Sequence, residues 1–244
     1  LLLLVGGRSV YAGCTISPVN SANLQGAADS NADISTCNVS SMTSMNGLFS
    51  GKTSLNQDLS AWDVGNVTNM ANMFFGATSF NNGGAAMGWT TTDLTTMETM
   101  FQGATSFNQD ISSWDVDKVT SFNKAFRGAT AFNNGGAALS WTTSSALTDL
   151  DSTFKNAGSF DQNVSSLTVS GVSWFDNMFL GADLSTTNYG AFLVMLNSSG
   201  VTGKTIHGGT SSWCSSGDGA AAARLNLINN KSWLIGYTGA SAPE

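Results

Sequence analysis

The sequence predicts an α/β repeat solenoid, each coil supplying one short strand and one short helix, closed by a C-terminal α/β cap. Three observations predict it. Phenylalanines recur at Phe49, Phe74, Phe101, Phe126, Phe154 and Phe179, separated by 25, 27, 25, 28 and 25 residues, and a period in the twenties marks a stacked repeat. Each is preceded by apolar residues at the i, i+3, i+4 spacing of one helix face, as in Met70/Met73/Phe74 and Met97/Met100/Phe101. Each of the first five is followed by a turn, a second apolar anchor and an asparagine or aspartate, at Asn56, Asn81, Asn108, Asn133 and Asp161.

Within one coil, Asn66 or Thr68 is placed to cap a short helix, and Gly76 to stop it. An extended segment then carries a tryptophan slot, filled by Trp62, Trp89, Trp114, Trp141 and finally Leu167. The recurring Asn slot reads as a ladder bonding from coil to coil. Short coils reading Asn-Gln-Asp alternate with long ones reading Asn-Asn-Gly-Gly, and the added Gly-Gly is expected to bulge on one side of every second coil. One coil cannot offset the entropy of ordering itself, whereas a stack can. The expected organisation is a signal-peptide remnant or assembly strand at 1–13, an N-terminal cap and partial coil at 14–47, repeats at 48–182 and the cap at 183–244. In the cap, Thr187 is expected to start a helix over about 188–197 and Asp218 another over about 219–229, with a final strand at Trp233-Leu234-Ile235.

Composition narrows the function. Apolar residues make up 41% of the 244, enough for a core, while charged residues make up only 10%, well below the usual quarter. A net charge of −7 with nine scattered basic residues provides no basic stripe for nucleic acid. Leu1–Val5 is too short to span a bilayer. It reads as the end of a signal peptide cleaved after Ala12 or as an assembly strand. Cys14 and Cys37 are candidates for a disulfide at the start of the repeats. Tyr11-Ala12-Gly13-Cys14 also loosely resembles a lipobox, which would place lipid on Cys14. Cys214 is the odd cysteine.

The motif Phe101–Thr120, F-Q-G-A-T-S-F-N-Q-D-I-S-S-W-D-V-D-K-V-T, resembles the repeat of BspA-type leucine-rich-repeat surface proteins, found also in mycoplasma-type surface lipoproteins. The resemblance covers residues 48–182 and extends to the C-terminal cap. It implies leucine-rich-repeat-like right-handed coils and a secreted or cell-surface protein of adhesin-like architecture. The chain departs from the pattern at Asn156-Ala157-Gly158 and at Leu167.

Catalytic chemistry finds little support. Gly51-Lys52-Thr53 and Gly203-Lys204-Thr205 lack the first glycine of a phosphate loop, having Asn46 and Ser198 there. His207 is the only histidine and has no metal-ligand spacing around it. Asp58, Asp63, Asp110, Asp115 and Asp117 read either as calcium ligands or as turn residues bonding backbone amides. The sequence thus predicts a non-enzymatic protein with no cofactor and no metal. It would mediate adhesion or recognise a protein or glycan. The alternative is a subunit self-assembling into a surface layer or filament. A lesser alternative is ice binding through the column Thr53, Thr78, Thr105 and Thr130. The expected contact residues lie on the long coils and are taken as exposed: Asn82, Gly83, Gly84, Thr91, Asn134, Gly135, Gly136 and Thr143. Glycosylation sequons occur at Asn38, Asn66, Asn163 and Asn197.

Overall fold

The computed structural model describes Cys14, Ile16 and residues 19–208 and 219–236. Its regular elements are α1 (Ser21–Asp29), α2 (Thr186–Ser198), β1 (Thr205–His207), α3 (Ala220–Lys231) and β2 (Leu234–Gly236). The expected fold class, an α/β solenoid of leucine-rich-repeat-like coils with a strand and a helix in each, is therefore corrected. Residues 48–182 contain neither an α-helix nor a β-strand, only turns, two 3-10 turns at 82–84 and 134–136, and isolated bridges.

The reason lies in the backbone. Asn72, Thr99, Lys124, Ser152 and Asn177 each hold a positive φ of 54–56° in the middle of the segments read as helices, and a right-handed helix cannot pass through such a residue. Backbone N–H groups consequently divide their partners by parity. Met70, Asn72, Phe74 and Gly76 donate to Thr96, Glu98, Met100 and Gln102 of the following repeat, whereas Met73, Phe75 and Ala77 close i→i−3 turns onto Met70, Asn72 and Phe74. Apolar residues at i, i+3, i+4 thus face inward from consecutive turns.

Equivalent residues of consecutive repeats meet through single parallel bridges, running Ser44↔Asn69↔Thr96↔Ser121↔Asp149↔Trp174. Beneath them the aromatic rings form columns. Phe74, Phe101, Phe126 and Phe154 stack at centroid separations of 5.4, 5.4 and 5.6 Å, and Phe80, Phe107, Phe132 and Phe160 at 6.1, 5.8 and 5.9 Å. Nearly all of these rings are fully buried, and each contributes roughly 1.5–3 kcal/mol of transfer free energy. The tryptophan slot has a polar role as well. Nε1 of Trp62, Trp89, Trp114 and Trp141 donates to the carbonyls of Ile34, Leu59, Met87 and Ile111 at 2.7–3.0 Å, so no buried indole N–H in this column is wasted.

At the N-terminal side, Asn20 caps α1 by accepting the Asn23 amide, and Cys14 is joined to Cys37. That bond occupies the thiol that the lipobox-like reading would have acylated. At the C-terminal side, Ser185, not Thr187, caps α2. The helix expected from about 219 begins at Ala220, after Gly219 in the left-handed region. β1 and β2 pair in parallel with Ile206 opposite Ile235, one residue later than the strand anticipated at Trp233. Trp233 itself is buried and donates to the Val201 carbonyl at 3.1 Å. Leu1–Val5, Ala12, Cys214 and Asp218 lie outside the described residues.

Candidate functional site

The two Gly-Gly turns are the first candidate surface. Asn82, Gly83 and Gly84 hold φ of 50°, 61° and 86°, and Asn134, Gly135 and Gly136 repeat this with 52°, 61° and 83°. The turns are fixed to the preceding repeat: the Gly83 and Gly135 amides donate to Oδ1 of Asn56 and Asn108 at 3.0 and 2.9 Å. A Cβ at Gly83 would lie 3.1 Å from the Asp58 nitrogen, and one at Gly135 would lie 3.2 Å from that of Asp110. Glycine is therefore required by close backbone approach as well as by conformation.

Of the eight expected contact residues, only the four glycines are exposed. The expectation that the other four are exposed is corrected. Asn82 and Asn134 are completely buried. Their Oδ1 atoms accept the Leu59 and Ile111 amides at 2.7 and 2.9 Å, and their Nδ2 groups donate to the Ala85 and Ala137 carbonyls. Thr91 and Thr143 are buried too, donating to the carbonyls of Asp115 and Thr168 in the next repeat. These four side chains supply the hydrogen bonds that buried turns need, so they act on the turn's shape and not by contact.

The other sequence candidates are spread apart. Asp58, Asp63, Asp110 and Asp115 each accept a backbone amide two residues on, from Ser60, Gly65, Ser112 and Asp117, the role of turn residues. Lys52 pairs with Asp29 at 2.5 Å, and His207 ends β1 opposite Gly236. Thr53, Thr78, Thr105 and Thr130 form an exposed column in which the last three hydroxyls donate to the carbonyl one repeat back. Asn38, Asn66 and Asn163 are exposed. The Asn197 Oδ1 instead accepts from Asn226, between α2 and α3.

A second surface was not singled out from sequence. An open pocket of about 350 Å³ is lined by Asn123, Asp149, Asp151, Trp174 and Asp176. Trp174, the one aromatic residue in that lining, is 55% exposed. Burial pushes the Asp149 carboxyl above its ordinary range, and the charges of Asp151 and Glu98 push the same way, against the hydrogen bonds from the Asp151 amide and Asn123. The signal that could have found this pocket is the slot occupied by Ser44, Asn69, Thr96, Ser121, Asp149 and then Trp174, a run of small polar residues ending in a large aromatic.

No helix among the described residues is long and apolar enough to cross a membrane. In comparison with known proteins, the family described as Mycoplasma protein of unknown function, DUF285, matches residues 19–87 and 82–192. This supports the mycoplasma-type part of the sequence resemblance without singling out the BspA type. Neither the curated proteins nor the solved structures contain a match.

Proposed function

Because the chain belongs to the DUF285 family, Mycoplasma protein of unknown function, we propose that it is a secreted or cell-surface recognition module, non-enzymatic, of the adhesive kind found among BspA-type surface proteins. The observation that supports this most is the recurrence of the same exposed turn, Gly83-Gly84 and then Gly135-Gly136, two repeats apart. A rigid feature presented twice at one spacing suits a partner that is itself extended or repetitive. The low fraction of charged residues, 10%, is in keeping with a surface held by hydroxyl and amide groups.

The test has two parts. Antibodies against the chain should label intact cells of its source. The purified protein should bind immobilised extracellular-matrix proteins or glycans, and Ala86→Glu with Ala138→Glu, exposed positions beside both turns, should weaken that binding. Absence of surface labelling overturns the localisation. Undiminished binding by the double variant overturns the turns as the contact surface. Concentration-dependent self-association of the pure protein, with no binding to either class, would favour the structural-subunit alternative.

A further inference from the structure

Trp174 breaks a rule that the rest of its column obeys. In the five preceding repeats, the side chain at this slot accepts the backbone amide two residues on. Ser44 accepts from Asn46, Asn69 from Ala71, Thr96 from Glu98, Ser121 from Asn123 and Asp149 from Asp151. An indole has no acceptor to give, so the Asp176 amide loses this bond. Nor is the ring repaid by burial, since more than half of it faces solvent. A local rule broken without a compensating gain in packing is expected at strained or functional positions, and Trp174 is the last residue of the bridged series.

What surrounds the ring indicates the ligand. Asp149 and Trp174 are bridged neighbours, and the Leu150 and Ser152 amides donate to the Trp174 and Asp176 carbonyls at 2.9 and 2.8 Å. Asp151 and Asp176 therefore occupy one column on adjacent rungs, about 4.8 Å apart at the backbone, with Asp149 beside them. Like charges set opposite each other in a ladder are destabilising. The three carboxylates form no ion pair with a described residue, and Asp149 is already raised by its surroundings. Three carboxylates lining one pocket with an exposed indole favour an organic cation over a neutral or anionic group, through charge and cation–π attraction together.

We propose that the pocket formed by Trp174, Asp149, Asp151 and Asp176 receives a lysine or arginine side chain of a protein partner. This deepens the recognition reading above and rests on it. The indole face takes the alkyl stem and cationic head, the carboxylates take the N–H groups, and Asn123 lines the same pocket.

The test uses the whole chain with N-acetyl-tetralysine amide as probe, tetraglutamate and chitotetraose as controls, and titration calorimetry with the indole N–H resonance of Trp174 as readout. Tetralysine should bind saturably, perturb that resonance and weaken as salt is raised. Trp174→Ser should weaken binding about fivefold or more, the equivalent of about 1 kcal/mol. It should also remain folded, because serine fills this slot at Ser44 and Ser121 and restores an acceptor. Asp176→Asn should weaken binding without moving the fold. Absence of saturable tetralysine binding, equal binding by Trp174→Ser, or preference for chitotetraose each overturns the proposal. The two readings fail separately. Surface binding that survives Trp174→Ser in a protein blind to tetralysine removes the pocket alone. Tetralysine binding by a protein absent from the cell surface removes the surface reading alone.

Discussion

Asn108 holds Asn133 from the preceding repeat: its Oδ1 accepts the Asn133 backbone N–H at 2.7 Å and, two residues later, that of Gly135 at 2.9 Å. The same relation links Asn56 to Asn81 at 2.8 Å and Asn81 to Asn108 at 2.9 Å, and Asn133 to Asp161 at 3.0 Å. Asp161 closes the series by accepting from Ser185 and Asn188 near the start of α2. Burial would raise its carboxyl, but these hydrogen bonds outweigh that and hold it below its ordinary range.

Asn108→Ala removes one acceptor from two backbone amides, and the expected loss is about 1–3 kcal/mol. Asn108→Asp keeps an acceptor in place and should lose less. Urea unfolding of the three proteins ranks them, and an alanine variant as stable as the parent would remove the ladder from the list of stabilising contacts.

The glycines of the long turn separate conformation from crowding. Gly84 has φ +86° and nothing within 4 Å of an added Cβ, so Gly84→Ala should cost only the left-handed penalty of about 1–2 kcal/mol. Gly83 has φ +61° and the Asp58 backbone 3.1 Å from the same point. Gly83→Ala should therefore cost more than Gly84→Ala, as read from thermal unfolding midpoints. The reverse order would contradict the close approach.

Asp149 predicts a pH effect. Its folded-state carboxyl is raised, by burial above all, which outweighs the hydrogen bonds from the Asp151 amide and Asn123, with the Asp151 and Glu98 charges adding to the rise. Its ionised form therefore destabilises the fold at neutral pH, and this is relieved as pH falls through the raised value. Asp149→Asn keeps an acceptor for the Asp151 amide and should be more stable than the parent at about pH 7. The gain should shrink as the pH approaches about 4, near the ordinary aspartate value. Denaturant titrations across that range measure it, and a gain that grows on acidification would refute the assignment.

Reduction of the Cys14–Cys37 bond opens a loop with a sequence separation of 23. The chain-entropy relation gives about 3 kcal/mol for a loop of that size. Unfolding with and without reductant, and in Cys14→Ser with Cys37→Ser, should show a loss of that order in both cases. A difference near zero would mean that α1 and the first repeat hold this end unaided.

The repeat was legible wherever one side chain does one job at one slot. Phe74, Phe101 and Phe126 recur because a ring must lie on a ring. Asn81, Asn108 and Asn133 recur because each backbone amide needs an acceptor below it. The backbone between them was not legible. Met70/Met73/Phe74 satisfies a helical pattern, yet Asn72 and Thr99 turn left-handed there, and nothing in an Asn-to-Thr exchange announces a positive φ. Burial of Asn82, Asn134, Thr91 and Thr143 is not legible because the partners that make burial of a polar side chain tolerable come from other repeats. Trp174 escaped because its slot is informative only when the column of small acceptors preceding it is compared residue by residue.

The direction of the asparagine ladder has a consequence for how such a chain changes length over evolutionary time. Every link places the acceptor on the earlier repeat and the donor on the later one, so any short repeat is followed equally well by any long one. Excision of residues 75–126 would join Phe74 to Arg127 and seat Asn133 on Asn56, with Gly135 falling where Gly83 had been. No interface would have to be invented. A gene coding for this chain can lose or gain such a pair in a single recombination event and still encode a protein whose two ends are unaltered.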